Sequence, residues 1–153
     1  MAILRTLTTI IAATALVLPA IAHAGKFRDF DDYRVHFSAF NSTVIAPEVA
    51  RAYDLPRSDY RGMLNITVQR KESDTPPYPA TNADLRAQAT NLAGQTKQIS
   101  MQRIEEGDAI YYIGGFPVSH REVLDFRVDI QPEDSDQTYN LQFRQQFFTS
   151  DRD

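Results

Sequence analysis

The chain of 153 residues contains no cysteine and no tryptophan. The absence of cysteine excludes a disulfide framework, a thiol nucleophile and every metal site built from thiolates. It also excludes an N-terminus anchored through a lipid-modified cysteine. Because no disulfide is available, the hydrophobic core alone must stabilise the fold.

Positive charge is in deficit. Lys and Arg together number 16 against 20 Asp and Glu, which gives a formal net charge of −4. The basic residues form no patch along the sequence. A mildly acidic chain of this kind argues against binding to nucleic acid and to anionic membrane surfaces.

A long hydrophobic run occurs only near the N-terminus, where the mostly apolar stretch 7–18 follows Arg5. This run is shorter than the ~18 continuous apolar residues that a transmembrane helix needs. Ala22-His23-Ala24 then provides the small-x-small pattern that signal peptidase requires. We therefore predict that residues 1–24 are a cleaved signal peptide. Residues 25–153 should form one domain in the periplasm, with no membrane anchor after cleavage.

What the predicted mature chain has in abundance is aromatic residues and strand-like alternation. All nine Phe and seven Tyr lie after residue 24, and each can bury a large area. Apolar and polar residues alternate with a period of two, typical of strands with one wet face. The alternating segments, separated by polar turns, are 33–39, 64–69, 124–130 and 139–144. This pattern predicts an antiparallel β-sandwich of about seven strands.

Two segments depart from the alternation. Residues 46–53 carry Pro47 at a first helical position and Glu48 beside it, which predicts a short helix between the first two strands. Residues 82–94 fit a helix better than a strand on local rules, because Asn82 can cap a helix and Gly94 can close it. A weaker period-two pattern in the same segment leaves a strand open.

The stretch EGDAIYYIGGFPVSHR, residues 106–121, resembles a collection of reactive groups. We interpret it as architecture instead. Residues 109–113 are apolar on both faces, as in a central strand, and Gly114-Gly115 is expected to break that strand. The next strand is expected to begin at His120, and residues 98–104 should form an irregular strand that pairs with 109–113.

The chain resembles a known family over nearly all of its predicted mature length. The matching blocks, in chain order, are 30–37, 46–53, 57–58, 64–66, 91–95, 106–113 and 122–126. The family is the domain-of-unknown-function family 4426, exported proteins of Gram-negative bacteria. The resemblance implies an immunoglobulin-like sandwich in the periplasm and a strand over residues 82–92. It implies no known activity, cofactor or site residue.

Metal ligands are few. His36 and His120 are the two histidines after residue 24, with Met63 and Met101 as soft partners. Copper accepts such ligands, so a copper- or zinc-handling protein using His36, His120 and a methionine is the first alternative function. We expect no metal and no other cofactor, because no His-x-His or Met-x-x-Met spacing is present.

Catalytic motifs are missing as well. No serine lies in Gly-x-Ser-x-Gly or Ser-x-x-Lys, and Ser119 and His120 would face opposite sides of a strand. A small hydrolase using an acidic pair such as Asp31-Asp32 is therefore the second alternative. We expect the protein not to be an enzyme.

One surface has the composition of a recognition site. The predicted helix and the loop after it, Pro47 to Arg61, carry Tyr53, Arg57, Tyr60 and Arg61, and Tyr and Arg are enriched in interface hot spots. The competing interpretation is that the helix closes the open end of the sandwich through Val49 and Tyr53. The predicted function is non-catalytic binding of a protein partner or an envelope component, by this surface or by strand addition at a sheet edge.

Overall fold

The computed structural model describes residues 25–150, so the predicted signal peptide lies outside the described residues. Within this range, no helix is long and apolar enough to cross a membrane. The strands are β1 (Lys26–Phe30), β2 (Tyr33–Asn41), β3 (Arg61–Arg70), β4 (Ala83–Asn91), β5 (Thr96–Ile99), β6 (Gln102–Glu106), β7 (Ala109–Pro117), β8 (Val123–Pro132) and β9 (Tyr139–Gln146). A 3-10 turn (Ser42–Val44) and the helix α1 (Pro47–Ala52) lie between β2 and β3.

The strands form two antiparallel sheets. The five-stranded sheet has the order β1-β2-β3-β7-β6, and the four-stranded sheet has the order β5-β4-β8-β9. The all-β sandwich is therefore confirmed, with nine strands among the described residues rather than about seven. The strand over 82–92 is confirmed as β4, which pairs with both β5 and β8. Tertiary pairing thus overrides the local preference of this segment for a helix.

The core lies between the inner faces of the two sheets. Phe126 of β8 is almost fully buried near its centre. Its ring stacks on Phe143 at 4.7 Å and meets the edge of Phe116 at 5.2 Å between centroids. The alternating residues Leu64, Ile66, Val68, Leu124, Val128 and Ile130 are fully buried around it. The prediction that these alternating residues of β3 and β8 share one apolar face is therefore confirmed.

The chain changes sheets between β5 and β6, and this crossing explains Gly114 of β7. Gly114 lies under the crossing segment: a Cβ atom built there would come within 2.6 Å of the Ser100 carbonyl oxygen and 2.8 Å of the Met101 sulfur. The prediction that Gly114-Gly115 breaks the strand was wrong, because β7 continues to Pro117. The predicted single strand over 98–104 is two strands in different sheets, and β8 begins at Val123 rather than at His120.

The helix α1 follows the second strand, because a short hairpin strand, β1, precedes the first predicted one. It does not close an end of the sandwich. Since Leu64 faces the core, its neighbour Met63 faces outward, yet Met63 is fully buried. Met63 belongs to a second hydrophobic cluster with three buried residues of the segment 45–55, which contains α1 and is called the α1 segment: Ile45, Ala50 and Leu55. Four partly buried residues pack against this cluster: Phe40, Val49, Tyr53 and Ile113. The α1 segment thus covers part of the outer face of the five-stranded sheet.

Candidate functional site

Beside the α1 segment, the outer face of the five-stranded sheet remains open as a groove of about 320 Å³. We call it the outer-face groove. Its lining residues are Gly25, His36, Phe37, Ser38, Phe40, Val44, Asn65, Thr67 and Tyr111. This lining mixes aromatic, aliphatic and uncharged polar side chains, the composition of a small-ligand site.

Strand geometry brings these side chains together. His36, Ser38 and Phe40 occupy alternate positions of β2 and therefore share one face. The antiparallel register places Asn65 opposite Ser38 and Thr67 opposite His36. Directly opposed side chains lie about 4.5–5.5 Å apart at Cβ, so the polar positions of two strands form one continuous floor.

The 3-10 turn forms one rim of the groove through Val44, which is 44% exposed. Arg57 fixes this turn from behind. Its Nε donates to the Ile45 carbonyl oxygen at 2.9 Å, and its Nη2 donates to the Thr43 carbonyl oxygen at 3.1 Å. The buried Ser42 hydroxyl adds a donated bond to the Ser58 carbonyl oxygen at 2.9 Å. Hydrogen bonds to the carbonyl groups of the residues before and after Val44 thus fix the position of Val44.

Asn65 has an unusual environment in the floor of the groove. Its Oδ1 is buried and accepts no hydrogen bond from the described residues. A buried acceptor left unpaired costs about 1–3 kcal/mol.

His36 has one ring nitrogen already engaged. Its Nε2 lies 2.9 Å from Gln69 Oε1, within hydrogen-bond distance. The ring also packs against Phe27 at 5.7 Å between centroids. The Arg34 guanidinium carbon lies 4.0 Å from the centroid of the same Phe27 ring. The Nε of Arg34 pairs with Asp29 Oδ1 at 2.7 Å. Strand β1 and the imidazole are therefore held in fixed positions beside the groove.

The four residues predicted to form a recognition surface have different environments. Tyr53 packs half-buried against the second hydrophobic cluster, and Arg57 bonds the 3-10 turn as described. Arg61 has a buried Nε without a hydrogen-bond partner among the described residues. Tyr60 is 48% exposed and is the member that presents a large apolar area to solvent.

The two histidines and two methionines of the metal alternative are spread over the sheet. His36 and Phe40 are four residues apart on β2, and Phe40 pairs with Met63, so His36 and Met63 are separated by about 13 Å. His120 lies beyond Pro117, whose partner Arg61 is six residues, or about 20 Å, from the partner of His36. Within residues 25–150, no three His, Asp or Glu side chains lie close enough to hold a metal ion.

Two groups with displaced pKa values, Asp125 and Tyr33, lie away from the groove. Hydrogen bonds from Arg144 hold the pKa of Asp125 below its ordinary value on the outer face of the four-stranded sheet. At one end of the sandwich, burial and the Asp134 carboxylate raise the pKa of Tyr33 to about 12. Arg70 pairs with the same carboxylate. These interactions join strands and turns to one another.

The family relationship can now be stated from direct comparison. The family model described as Domain of unknown function (DUF4426) matches residues 27–150. The chain belongs to the DUF4426 family. A crystal structure of a DUF4426 family protein from Pseudomonas aeruginosa is 28% identical, with a TM-score of 0.71 over 83% of this chain and 97% of that one. No curated protein matches the sequence.

The same sandwich recurs outside the family. FetP from uropathogenic Escherichia coli, expressed in the periplasm, is 9% identical, with a TM-score of 0.57 over 83% of this chain and 95% of that one. A copper-bound variant of FetP gives the same identity and TM-score over 84% and 93% of the two chains. At this identity the similarity concerns the fold.

Proposed function

We propose that this DUF4426 protein is a non-catalytic binding module of the periplasm, and that it recognises its ligand through the outer-face groove. The observation that carries the proposal is the groove itself. On a sheet face whose other half is covered by the α1 segment, nine residues line a groove of about 320 Å³ that mixes aromatic, aliphatic and uncharged polar side chains. A mostly apolar pocket with a few convergent polar groups is the usual form of a ligand site.

The groove is better suited to binding than to catalysis. His36 and Ser38 share its floor, but two residues along a strand separate their side chains by about 6.5 Å, beyond hydrogen-bond reach. The Nε2 of His36 is engaged by Gln69. A nucleophile with an adjacent base is therefore missing from this set of side chains. The hydrolase alternative is not supported by the acidic pair either, because Asp31 and Asp32 lie in the turn between β1 and β2.

Copper handling is the alternative suggested by the FetP fold. It would require His36, His120 and a methionine to approach one another, and the strand register places His36 about 13 Å from Met63 and about 20 Å from the strand position next to His120. We therefore place the proposed function at the groove rather than at a metal site.

The test fills the groove without altering the core. Ser38→Phe places a ring in the groove, and Gln142→Phe places the same ring on the exposed outer face of the four-stranded sheet. Isotope-labelled wild type and both variants would be titrated with small-molecule, glycan and peptide fractions of a native envelope extract. We expect one fraction to shift the NMR signals of groove residues in wild type and Gln142→Phe but not in Ser38→Phe. Equal shifts in all three proteins would refute the groove as the binding site.

A further inference from the structure

The two sheets of the sandwich differ in width by one strand, and the strand without a counterpart is β1. Ring contacts place β2 opposite β9, because Phe37 lies 4.7 Å from Phe143 and Tyr33 lies 5.7 Å from Tyr139 between centroids. β9 is the last strand of its sheet, whereas β2 is followed by β1. Since neighbouring strands are about 4.8 Å apart, β1 extends past β9 by the width of one strand.

The side of β1 that faces the other layer is largely uncovered. Lys26 and Arg28 pair with inward-facing residues of β2, so their side chains point toward the layer of the four-stranded sheet. Both residues are exposed. Phe30, the third residue on this side, is partly buried against Tyr139, with 5.4 Å between the ring centroids. Among residues 25–150, no strand lies opposite Lys26 and Arg28, and we call this space beside β9 the strand gap.

The edge of β9 that borders the strand gap lacks the usual protections against pairing. β9 has eight residues that pair with β8 in an unbroken register, without a bulge. It contains no proline, and its one charged side chain, Arg144, is bonded to Asp125 of β8. The other edge strands, β1, β5 and β6, have four or five residues each and all carry charged residues. Because short length, charge, proline and bulges keep edges from pairing, β9 is the edge that can accept a further strand.

A second copy of the chain does not fit the strand gap. If β9 paired with β9 of a second copy, β2 of that copy would lie opposite its own β9 and would occupy the position of β1. If β1 of the second copy filled the gap instead, its own Lys26 and Arg28 would face the same two residues across the layer. Like charges in direct opposition are destabilising. The occupant that fits is therefore a single extended segment of a different protein.

Charge complementarity defines the sequence of that segment. Lys26 and Arg28 are alternate residues of β1, so they match two acidic side chains at alternate positions of an added strand. Phe30 and Tyr139, at the next level, match an apolar side chain. A strand antiparallel to β9, as in the rest of the sheet, runs in the direction of β1 and meets Lys26 first. We propose that the strand gap binds an extended partner segment of the pattern acidic-x-acidic-x-apolar, by strand addition to β9.

The experiment uses the synthetic peptide acetyl-TETETVT-amide as the probe. Acetyl-TEETTVT-amide is the matched control, because it has the same composition but places its two glutamates on opposite faces of a strand. NMR titration of isotope-labelled protein should show saturable shifts and slower hydrogen exchange at β9 amides with the first peptide. The control should bind about tenfold more weakly. Equal affinity of the two peptides, or no shift at β9 with the first, would overturn the inference.

Two charge-reversed variants test the role of the cations. Lys26→Glu/Arg28→Glu reverses the charge of the strand gap, and Arg86→Glu/Arg127→Glu makes the same change of net charge on the outer face of the four-stranded sheet. The first variant should bind TETETVT at least about tenfold more weakly and should instead bind acetyl-TKTKTVT-amide. This gain of a ligand shows that the variant is folded. The second variant should bind like wild type, and unchanged affinity of the first for TETETVT would contradict the proposal.

The strand gap is separate from the outer-face groove, so this inference goes beyond the proposed function and can fail independently of it. Ser38→Phe fills the groove on the outer face and should leave binding of TETETVT unchanged. Loss of binding in Ser38→Phe would place the peptide in the groove and overturn the inference. A dimer detected by sedimentation that shows slow exchange at β9 amides without peptide would assign the gap to a second copy, which also overturns it.

Discussion

At the scale of single residues, Arg57 shows how a residue type suited to interfaces is used inside the molecule. Its planar guanidinium reaches two carbonyl oxygens, of Ile45 and Thr43, in one rigid arrangement. Those carbonyls flank Val44, which forms a rim of the outer-face groove. The residue therefore acts on the shape of the groove rather than by contacting a ligand directly.

This geometry predicts a measurable cost for Arg57→Ala. We expect a loss of about 1 kcal/mol, since two hydrogen bonds from a charged donor are removed at a position open to solvent. Arg57→Lys should recover only part of it, because an ammonium group does not reproduce the forked geometry. Arg127→Ala, an exposed arginine with an ion pair at 3.7 Å, is the control and should change stability by less than about 0.5 kcal/mol. Urea denaturation measures the stability of all three variants. An unchanged midpoint for Arg57→Ala would show that the two hydrogen bonds of Arg57 do not stabilise the fold.

Glu122 is a second residue of interest, because its hydrogen-bond partners shift the pKa of its carboxyl group. Its carboxylate accepts from Lys97 Nζ at 2.7 Å and from the Ser119 N–H at 2.9 Å, while Lys97 also donates to the Pro117 carbonyl oxygen. These bonds join β5 of the four-stranded sheet to the end of β7 in the five-stranded sheet and to the turn that follows β7. Burial acts to raise the pKa of Glu122, but the bonds from Lys97, Ser119 and Asn91 outweigh it, so the pKa lies below its ordinary value.

The direction of this shift fixes the sign of a pH dependence. A carboxyl group whose pKa is lower in the folded state stabilises the fold above the ordinary value of 4.5, and this contribution is lost as the pH falls through the folded pKa. Glu122→Gln should therefore cost about 2 kcal/mol near neutral pH. The gap between wild type and variant should shrink below pH 4.5. Denaturation midpoints from pH 7 to pH 3 test this, and a gap that stays constant would contradict it.

At the scale of elements, the sequence specifies strand phase much better than strand partners. Alternation identifies the buried face of β8, where Phe126 points inward and Asp125 outward, because period two is a local property. The change of sheet at Ser100 depends on contacts distant in sequence and leaves no periodic signal. β1 was missed for another reason: its first four residues are exposed, so no apolar alternation marks it.

The same limit explains why the groove was not foreseen. His36, Ser38, Asn65 and Thr67 were all identifiable as wet-face residues of their strands. Only the β2–β3 register, which the sequence alone does not specify, places Ser38 against Asn65. The Arg57 contacts were equally hidden, because a side chain bonding to backbone carbonyls has no sequence motif.

The β7 glycines provide a prediction at this scale. Gly114→Ala should destabilise by about 1–3 kcal/mol, because the new Cβ would meet a backbone oxygen at 2.6 Å and the crossing segment would have to move. Gly115→Ala is the matched control on the opposite face of the same strand. Its nearest atoms are the Arg61 Nη2 at 3.1 Å and the Met63 sulfur at 3.4 Å, both on flexible side chains, so its cost should be clearly smaller. Equal losses of stability for the two variants would refute the explanation that the segment between β5 and β6 requires a glycine at position 114.

At the scale of the whole molecule, the two outer faces of the sandwich differ in character. The four-stranded sheet presents charged and amide side chains paired across strands, such as Arg144 with Asp125 and Asn140 with Asp129. The five-stranded sheet is covered by the α1 segment over one part and concave and uncharged over the next. A paired, charged surface is typical of solvent contact, whereas a concave surface with apolar and polar side chains is the usual form of a ligand site.

That asymmetry also bears on metal binding, because the candidate donors lie on opposite parts of the molecule. Calorimetric titration with Cu(I), Cu(II) and Zn(II) should show no complex tighter than about micromolar, since a single imidazole such as His36 or His120 cannot complete a coordination shell. His36→Ala removes the imidazole that lines the outer-face groove, and it should leave any weak metal binding unchanged. A stoichiometric complex that disappears in His36→Ala would place a metal in the outer-face groove. It would favour the copper alternative over the non-catalytic binding module.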